Sequence, residues 1–243
     1  GLPAICVART PHHTWSAQVG HAHTTDYYLD APQSAVFHRY ETINVYNSDP
    51  VTIPVIYVEH TVATEGPVSL FNVPDGTGAS FTAAYGPGGS TVDATITMTL
   101  YDNTPGWGQP VAQFPFEDLW LECVGTTLVV CVGGTCADAN TDANGVTTWS
   151  EALHAGGMTD PSSGGDMYIL VNGTVPEGES LLPDLRMNSP DINGDLQVNL
   201  SDIPPFAEDF YGAYAYRSDF VWDGVVNLSD LAELAKAMTA ACP

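Results

Sequence analysis

The segment DINGDLQVNLSD, residues 191–202, places Asp191, Asn193 and Asp195 on alternate positions and closes on Asp202. DFVWDGVVNLSD, residues 219–230, repeats the pattern with Asp219, Asp223 and Asp230 and ends in the same five residues, VNLSD. Oxygen-bearing side chains crowded onto a short loop repel one another unless a cation sits among them. Ca²⁺ takes six to eight oxygens, and a loop of this length supplies them from positions 1, 3, 5, 7, 9 and 12. In the first loop these are Asp191, Asn193, Asp195, the carbonyl of Gln197, Asn199 and Asp202. In the second they are Asp219, Val221, Asp223, the carbonyl of Val225, Asn227 and Asp230. The expectation is two Ca²⁺ ions that hold the loops in shape. Two departures stand out: Val221 offers no side-chain oxygen, and Leu196 occupies position 6 of the first loop, where glycine is usual. Acidic turns without metal are the alternative reading.

Each loop runs into a helix-like segment. SDLAELAKAM spaces Leu231, Leu234 and Met238 on one face behind Ser229 as N-cap. Ser201 is placed to cap a first helix carrying Phe206 and Phe210, with Pro204 and Pro205 in the first turn, where backbone N–H groups have no intrahelical partner. The duplicated loop–helix unit, Asp at position 12 and the VNLSD endings resemble a type I dockerin domain over residues 184–243. That resemblance implies two structural Ca²⁺ ions and a pseudo-twofold docking surface. It also implies that Leu200–Ser201 and Leu228–Ser229 face a cohesin-like partner. A module of this size has a small core and ordinarily needs a metal staple.

Upstream, residues 67–183 read as an antiparallel sandwich. TVDATITMTLY alternates Val92, Ala94, Ile96, Met98 and Leu100 against Thr95, Thr97 and Thr99. Further strands are expected at VAQFPF, DLWLE, TLVVCV, VTTWSEA and MYILVN, with Gly- and Pro-rich punctuation between them. Asp138, Asn140 and Asp142 form a third candidate metal set. Glu151 comes two positions too late to close a loop, and Asn144–Gly145 is a strong hairpin signal, so a turn is preferred over an additional ion. The order DATITMTLYDN, QPVAQFPFEDLWL, TDANGVTTW resembles bacterial immunoglobulin-like domains of the invasin type, which implies that fold and an extracellular setting. Residues 1–66 are expected to form an N-terminal extension with strands, Pro54 marking an edge position. The fold class expected is therefore mainly β: an immunoglobulin-like antiparallel β-sandwich with a small C-terminal α-helical, dockerin-like calcium-binding module.

Charge narrows the partners. Five Lys and Arg stand against 29 Asp and Glu, a formal charge of −24, and Lys236 is the only lysine. Nucleic acid and anionic lipid both need basic patches, so neither is expected as a partner. Two Ca²⁺ ions would offset only part of the acidity. No apolar run is long enough for a membrane span. A chain that begins at Gly1 fits an exported protein whose signal peptide has been removed. Five cysteines (Cys6, Cys123, Cys131, Cys136 and Cys242) lead to an expectation of two disulfides, with Cys131 and Cys136 close enough to bridge a short loop.

The remaining signals are weaker. His12, His13, His21 and His23 lack a Cys or carboxylate at ligand spacing and read as a solvated polar segment rather than a metal site. Trp107, Trp120 and Trp149 are better placed as core or corner aromatics than as a sugar-stacking platform. Glu117 and Asp118, as neighbours on a strand, would point to opposite faces and make a poor acid–base pair. No nucleophile-elbow, zinc-protease or P-loop string appears. Asn172–Gly173–Thr174 fits a glycosylation acceptor. The chain is thus expected to be non-enzymatic. The first reading is an extracellular structural protein, a homo-oligomer or filament assembled by addition of a strand such as 51–62 to a neighbour. A dockerin-bearing component and a carbohydrate-binding adhesin are the alternatives.

Overall fold

The computed structural model describes residues 23–24, 42–43, 56–103, 108–124, 128–163 and 165–243. The chain divides into two units, residues 8–54 and a larger one that includes 55–243. In the smaller unit, β1 (His23–Thr24) pairs antiparallel with β2 (Thr42–Ile43). Among the described residues the larger unit is mainly β, with several sheets and two short α-helices. Its strands are β3 (Tyr57–Val62), β4 (Val68–Phe71), β5 (Ala84–Gly86), β6 (Ser90–Val92), β7 (Ile96–Tyr101), β8 (Leu119–Val124) and β9 (Val129–Val130). They continue with β10 (Val146–Trp149), β11 (Ala155–Gly156), β12 (Asp166–Val171), β13 (Glu177–Gly178), β14 (Leu181–Leu182) and β15 (Leu185–Asn188). The helices α1 (Ile203–Tyr211) and α2 (Leu228–Ala237) follow.

Three sheets share one core. Their strand orders are β10-β7-β3-β13, β15-β4-β5-β6 and β14-β12-β8. The alternation in β7 sends Ile96, Met98 and Leu100 inward, all buried, while Thr97 and Thr99 stay half-exposed. Val58, Leu70, Phe81, Leu121, Trp149, Met167 and Ile169 meet them there. The strand β4 is buried at all four positions because it has a core on each side. Val68 and Leu70 enter the sheet core; Phe71 turns the other way, its ring centroid 5.6 Å from that of Phe220. Ser69 is tolerated between them because its hydroxyl meets the Tyr216 hydroxyl at 2.8 Å.

Phe71 and Val73 therefore supply the floor of a second core, closed by Val198, Phe206, Phe220, Leu234, Ala237 and Ala240. Residues 184–243 are packed onto their own β-rich body. Asn188 strengthens the junction, its amide donating to the carbonyl of Asp219 at 2.7 Å. A disulfide from Cys131 to Cys242 ties the C-terminus down across a sequence separation of 111.

Several expectations are corrected. Cys131 bridges Cys242, not Cys136, because the fold brings the C-terminus beside the loop after β9; Cys136 is disulfide-bonded as well. The sheets are mixed rather than antiparallel throughout, since β13 runs parallel to β3 and β15 parallel to β4. The segment 111–116 is not a strand: Gln113 has φ of 59°, Pro115 lacks a donor, and Thr141 takes the backbone instead, its hydroxyl accepting from Phe114 N–H at 2.8 Å. Of the strand 51–62 expected to be added to a neighbour, residues 57–62 form β3, paired antiparallel with β7 along its length and parallel with β13 at Tyr57 and Val58 only. Pro54 and residues 51–55 lie outside the described residues.

Because one strand serves both cores, Phe220→Ala should cost about 3–5 kcal/mol and lower the melting of the β-rich body together with the helices. Calorimetry and far-ultraviolet circular dichroism check this. Two separated transitions, with the sheet signal unmoved, would contradict the shared core.

Candidate functional site

Both loops are built by the same hydrogen bonds. Asp191 accepts N–H bonds from Asp195 (3.1 Å) and Leu196 (2.8 Å); Asp219 accepts them from Asp223 (3.1 Å) and Gly224 (2.9 Å). Asp202 closes its loop by accepting from Asn193 (3.2 Å) and Asn199 (2.9 Å), and Asp230 does the same for Val221 (3.2 Å) and Asn227 (2.9 Å). The first and last carboxylates of each loop thus gather the turn around themselves. Position 3 makes its own version: the Asn193 side chain receives Asp195 N–H at 2.9 Å, a bond Val221 cannot accept.

The backbone explains the Leu196 departure. Positions 4 and 6 are left-handed in both loops: Gly194 (70°) and Leu196 (66°) in the first, Trp222 (51°) and Gly224 (89°) in the second. Each loop therefore spends one glycine on the two strained places and leaves a side chain at the other. Beyond the loops, Asn227 rather than Ser229 caps α2, in a capping box with Asp230. Asp202 rather than Ser201 precedes α1. Both predicted caps are off because Ser201 and Ser229 donate their N–H groups to Asn199 and Asn227, each at 2.8 Å, from inside the turn.

Asp191, Asp202, Asp219 and Asp230 are all at 0% exposure. The basic side chains of this unit are engaged elsewhere among the described residues: Arg186 with Asp160, Arg217 with Asp209, Lys236 with Glu233. The four buried carboxylates consequently have backbone N–H donors but no lysine or arginine paired with them among the described residues. Burial pushes the Asp191 carboxyl up to about 6, against the pull of the Leu196 and Asp195 N–H groups. Burial raises Asp219 and Asp230 as well. Among the described residues no three His, Cys, Asp or Glu side chains converge on one point. Two causes are visible. Positions 3 and 9 are Asn, Val and Asn rather than acids, and the middle carboxylates turn to the backbone, Asp195 to Gln197 N–H (3.0 Å) and Asp223 to Val225 N–H (2.9 Å). Asn199 and Asn227 donate side-chain N–H to the carbonyls of Gln197 and Val225. As a donor set, the carboxylate, amide and carbonyl oxygens of each loop suit a hard cation.

The outer surface of the two loops carries a matched pair. Leu200 is 77% exposed and Leu228 71%, each followed by an exposed serine, Ser201 and Ser229. The third candidate, in contrast, spends its oxygens on the hairpin. Asp142 accepts from Asn144 (2.7 Å) and Val146 (2.9 Å), which holds its carboxyl below the usual range. Asp138 accepts from Ser150 N–H at 2.8 Å, and Asn140 from Phe116 N–H at 3.0 Å. Trp120 and Trp149 are buried, with Trp149 Nε1 donating to the Thr135 carbonyl at 3.1 Å, and Trp107 lies outside the described residues. Glu117 and Asp118 sit on a 3₁₀ turn, not on a strand. His12, His13 and His21 lie outside the described residues, as does the side chain of His23. Sequence reasoning missed Arg186, which lies between the rings of Tyr216 (5.8 Å) and Trp222 (5.5 Å) while pairing with Asp160 at 2.8 Å. No local spacing announces it.

Compared with known proteins, the chain matches no family model, no curated protein and no solved structure.

A group whose folded-state pKa is raised favours folding below the unfolded carboxylate range and loses that contribution as pH climbs through the folded value. With divalent cations removed, the melting temperature should therefore be higher at pH 5 than at pH 7. Asp191→Asn should flatten the slope. A melting temperature that rises from pH 5 to pH 7 under chelation would contradict the burial argument.

Proposed function

We propose that the chain is a non-catalytic, calcium-stapled component of an extracellular assembly, which docks a protein partner through the twin leucines of its C-terminal loops. The observation that carries this reading is the duplication of buried carboxylates, paired with no lysine or arginine among the described residues, at the two ends of each loop: Asp191 and Asp202, Asp219 and Asp230. Burying four carboxylates with only dipoles for company is expensive, and a divalent ion removes the cost. Asp191, Asn193, Asp195, Asn199 and Asp202, with the Gln197 carbonyl, would hold one ion. Asp219, Asp223, Asn227 and Asp230, with the Val225 carbonyl, would hold the other, water filling the place of Val221. The dockerin likeness of 184–243 and the immunoglobulin-like likeness of the β-rich body belong to this proposal. So does export, which the long-range Cys131–Cys242 bridge favours.

Docking is preferred over filament growth by strand donation, because 57–62 is already committed to its own sheet. It is preferred over sugar binding, because two of the three candidate tryptophans are buried. Exposed leucines at equivalent positions of two similar loops offer the same small apolar contact twice, and the dockerin likeness would have a cohesin-like partner read them as a pseudo-twofold pair.

Titration calorimetry should find two Ca²⁺ equivalents on chelator-treated protein, and one after Asp195→Ala. Saturation at 100 times Kd adds about 2.7 kcal/mol per site, so the melting temperature should fall on chelation. No binding heat and an unmoved transition would sink the calcium reading. For docking, surface plasmon resonance against immobilised cohesin modules should show binding that survives Leu200→Asp or Leu228→Asp alone and fails when both are changed. Binding indifferent to the double variant would remove the leucines from the interface.

A further inference from the structure

A second surface lies on the opposite kind of element, a sheet edge. The bond from Ala63 N–H to the Thr95 carbonyl sets the phase of the β3–β7 ladder, so Tyr57, Glu59 and Thr61 turn their main-chain groups toward β7. The even residues Val58, His60 and Val62 turn theirs outward. On that side β13 reaches only Tyr57 and Val58, with Glu177 N–H donating to Ile56 and Glu179 N–H to Val58. The ladder then stops, because the His60 ring Nδ1 occupies the Glu179 carbonyl that would otherwise receive the His60 N–H. From His60 to Val62 the outward main-chain groups meet no partner among the described residues.

These groups open onto a cleft of about 300 Å³ walled by Val62, Val68, Ile96, Leu182 and Leu185. Glu65 and Asp184 stand on its rim, both exposed, and no lysine or arginine lines it among the described residues. Sheet edges are normally blunted by lysine, proline or a bulge, and β3 contains neither lysine nor proline.

We propose that this edge receives an extended, basic peptide of a partner protein, which continues the sheet beyond β13 beside His60 and Val62. Its main chain would take the N–H and C=O pairs of His60 and Val62 that are unpartnered among the described residues, its apolar side chains at alternate positions would enter the cleft, and its lysines or arginines would meet Glu65 and Asp184. A second copy of this chain is disfavoured by charge: with five Lys and Arg against 29 Asp and Glu, two copies repel.

The test titrates three labelled nine-residue peptides into the full-length chain by fluorescence anisotropy: alternating Val/Lys, alternating Val/Glu, and alternating Pro/Lys. The expected result is binding of Val/Lys alone, with hydrogen-exchange protection at His60 and Val62. Affinity should fall at least tenfold in the Glu65→Lys, Asp184→Lys double variant and be lost in Val62→Pro, which removes an outward N–H that β7 does not use. Should Val62→Pro fail to fold, the charge variant and the exchange pattern decide. Equal binding of Pro/Lys would mean charge alone and overturn the proposal. So would binding of Val/Glu, absence of protection at 60 and 62, or self-association that disappears in Val62→Pro, which would seat a second copy there.

Discussion

Each loop of the C-terminal module is organised by a pair of carboxylates withdrawn from water. An ionised carboxylate accepts N–H bonds strongly, so Asp191 and Asp219 can fold four following residues back upon themselves, and Asp202 and Asp230 can close the turn. Once the turn is closed, the last carboxylate of each loop stands at the start of a helix, where the partial positive charge of the first turn favours it. The same residue thereby shapes the loop and begins the helix. What the arrangement leaves unanswered is charge: the N–H dipoles hold the carboxylates in place without neutralising them, and burial raises the pKa of Asp191, Asp219 and Asp230.

The deficit matters beyond the loops because the module does not stand apart. Asp191 accepts main-chain contact from the β-rich body through its carbonyl, which receives Gly157 N–H at 2.7 Å. A Cβ on Gly156 would come within 1.8 Å of Asp191 Oδ2, so the body has been cut back to let the carboxylate in. The second loop touches the body too, since Gly89, in the turn between β5 and β6, lies against Val221 and Asp223. Phe71, Ser69 and Asn188 then carry the contact inward from β4 and β15. These contacts join the loops to the sheet through closely packed neighbours.

What was legible in the sequence is what depends on neighbours in the chain. The alternation of β7, the turn at Asn144–Gly145 and the twin loops all follow from spacing of a few residues, and the glycine missing at position 6 marked the left-handed Leu196. The helices were found, but not their caps, because Asn199 and Asn227 compete with the serines two residues on and win by accepting their N–H groups. Long-range closure was not legible. Nothing near Cys131 points to Cys242, and nothing in LRMN announces a parallel pairing with a strand more than a hundred residues earlier. Residues 57–62 show the difference well: their composition gave a strand, while its neighbours β7 and β13 were chosen by chain reversals that leave no local trace.

The charge of the chain can then be read in two parts. Acidic side chains at the loop ends are buried, whereas most of the other acids among the described residues are exposed or half-exposed, where they would repel other copies of the same chain. A protein with so few cations gains little by meeting itself, and a partner able to approach it must bring either apolar contacts that ignore charge or basic groups that use it. On the proposals made above, Leu200 and Leu228, exposed in the two loops, would offer the first kind of contact, and the rim of Glu65 and Asp184 beside β3 would offer the second. Binding at the two surfaces would then differ in salt response: contacts by leucine would strengthen slightly as salt raises the cost of exposed apolar area, while contacts to the rim would weaken as the Debye length shortens.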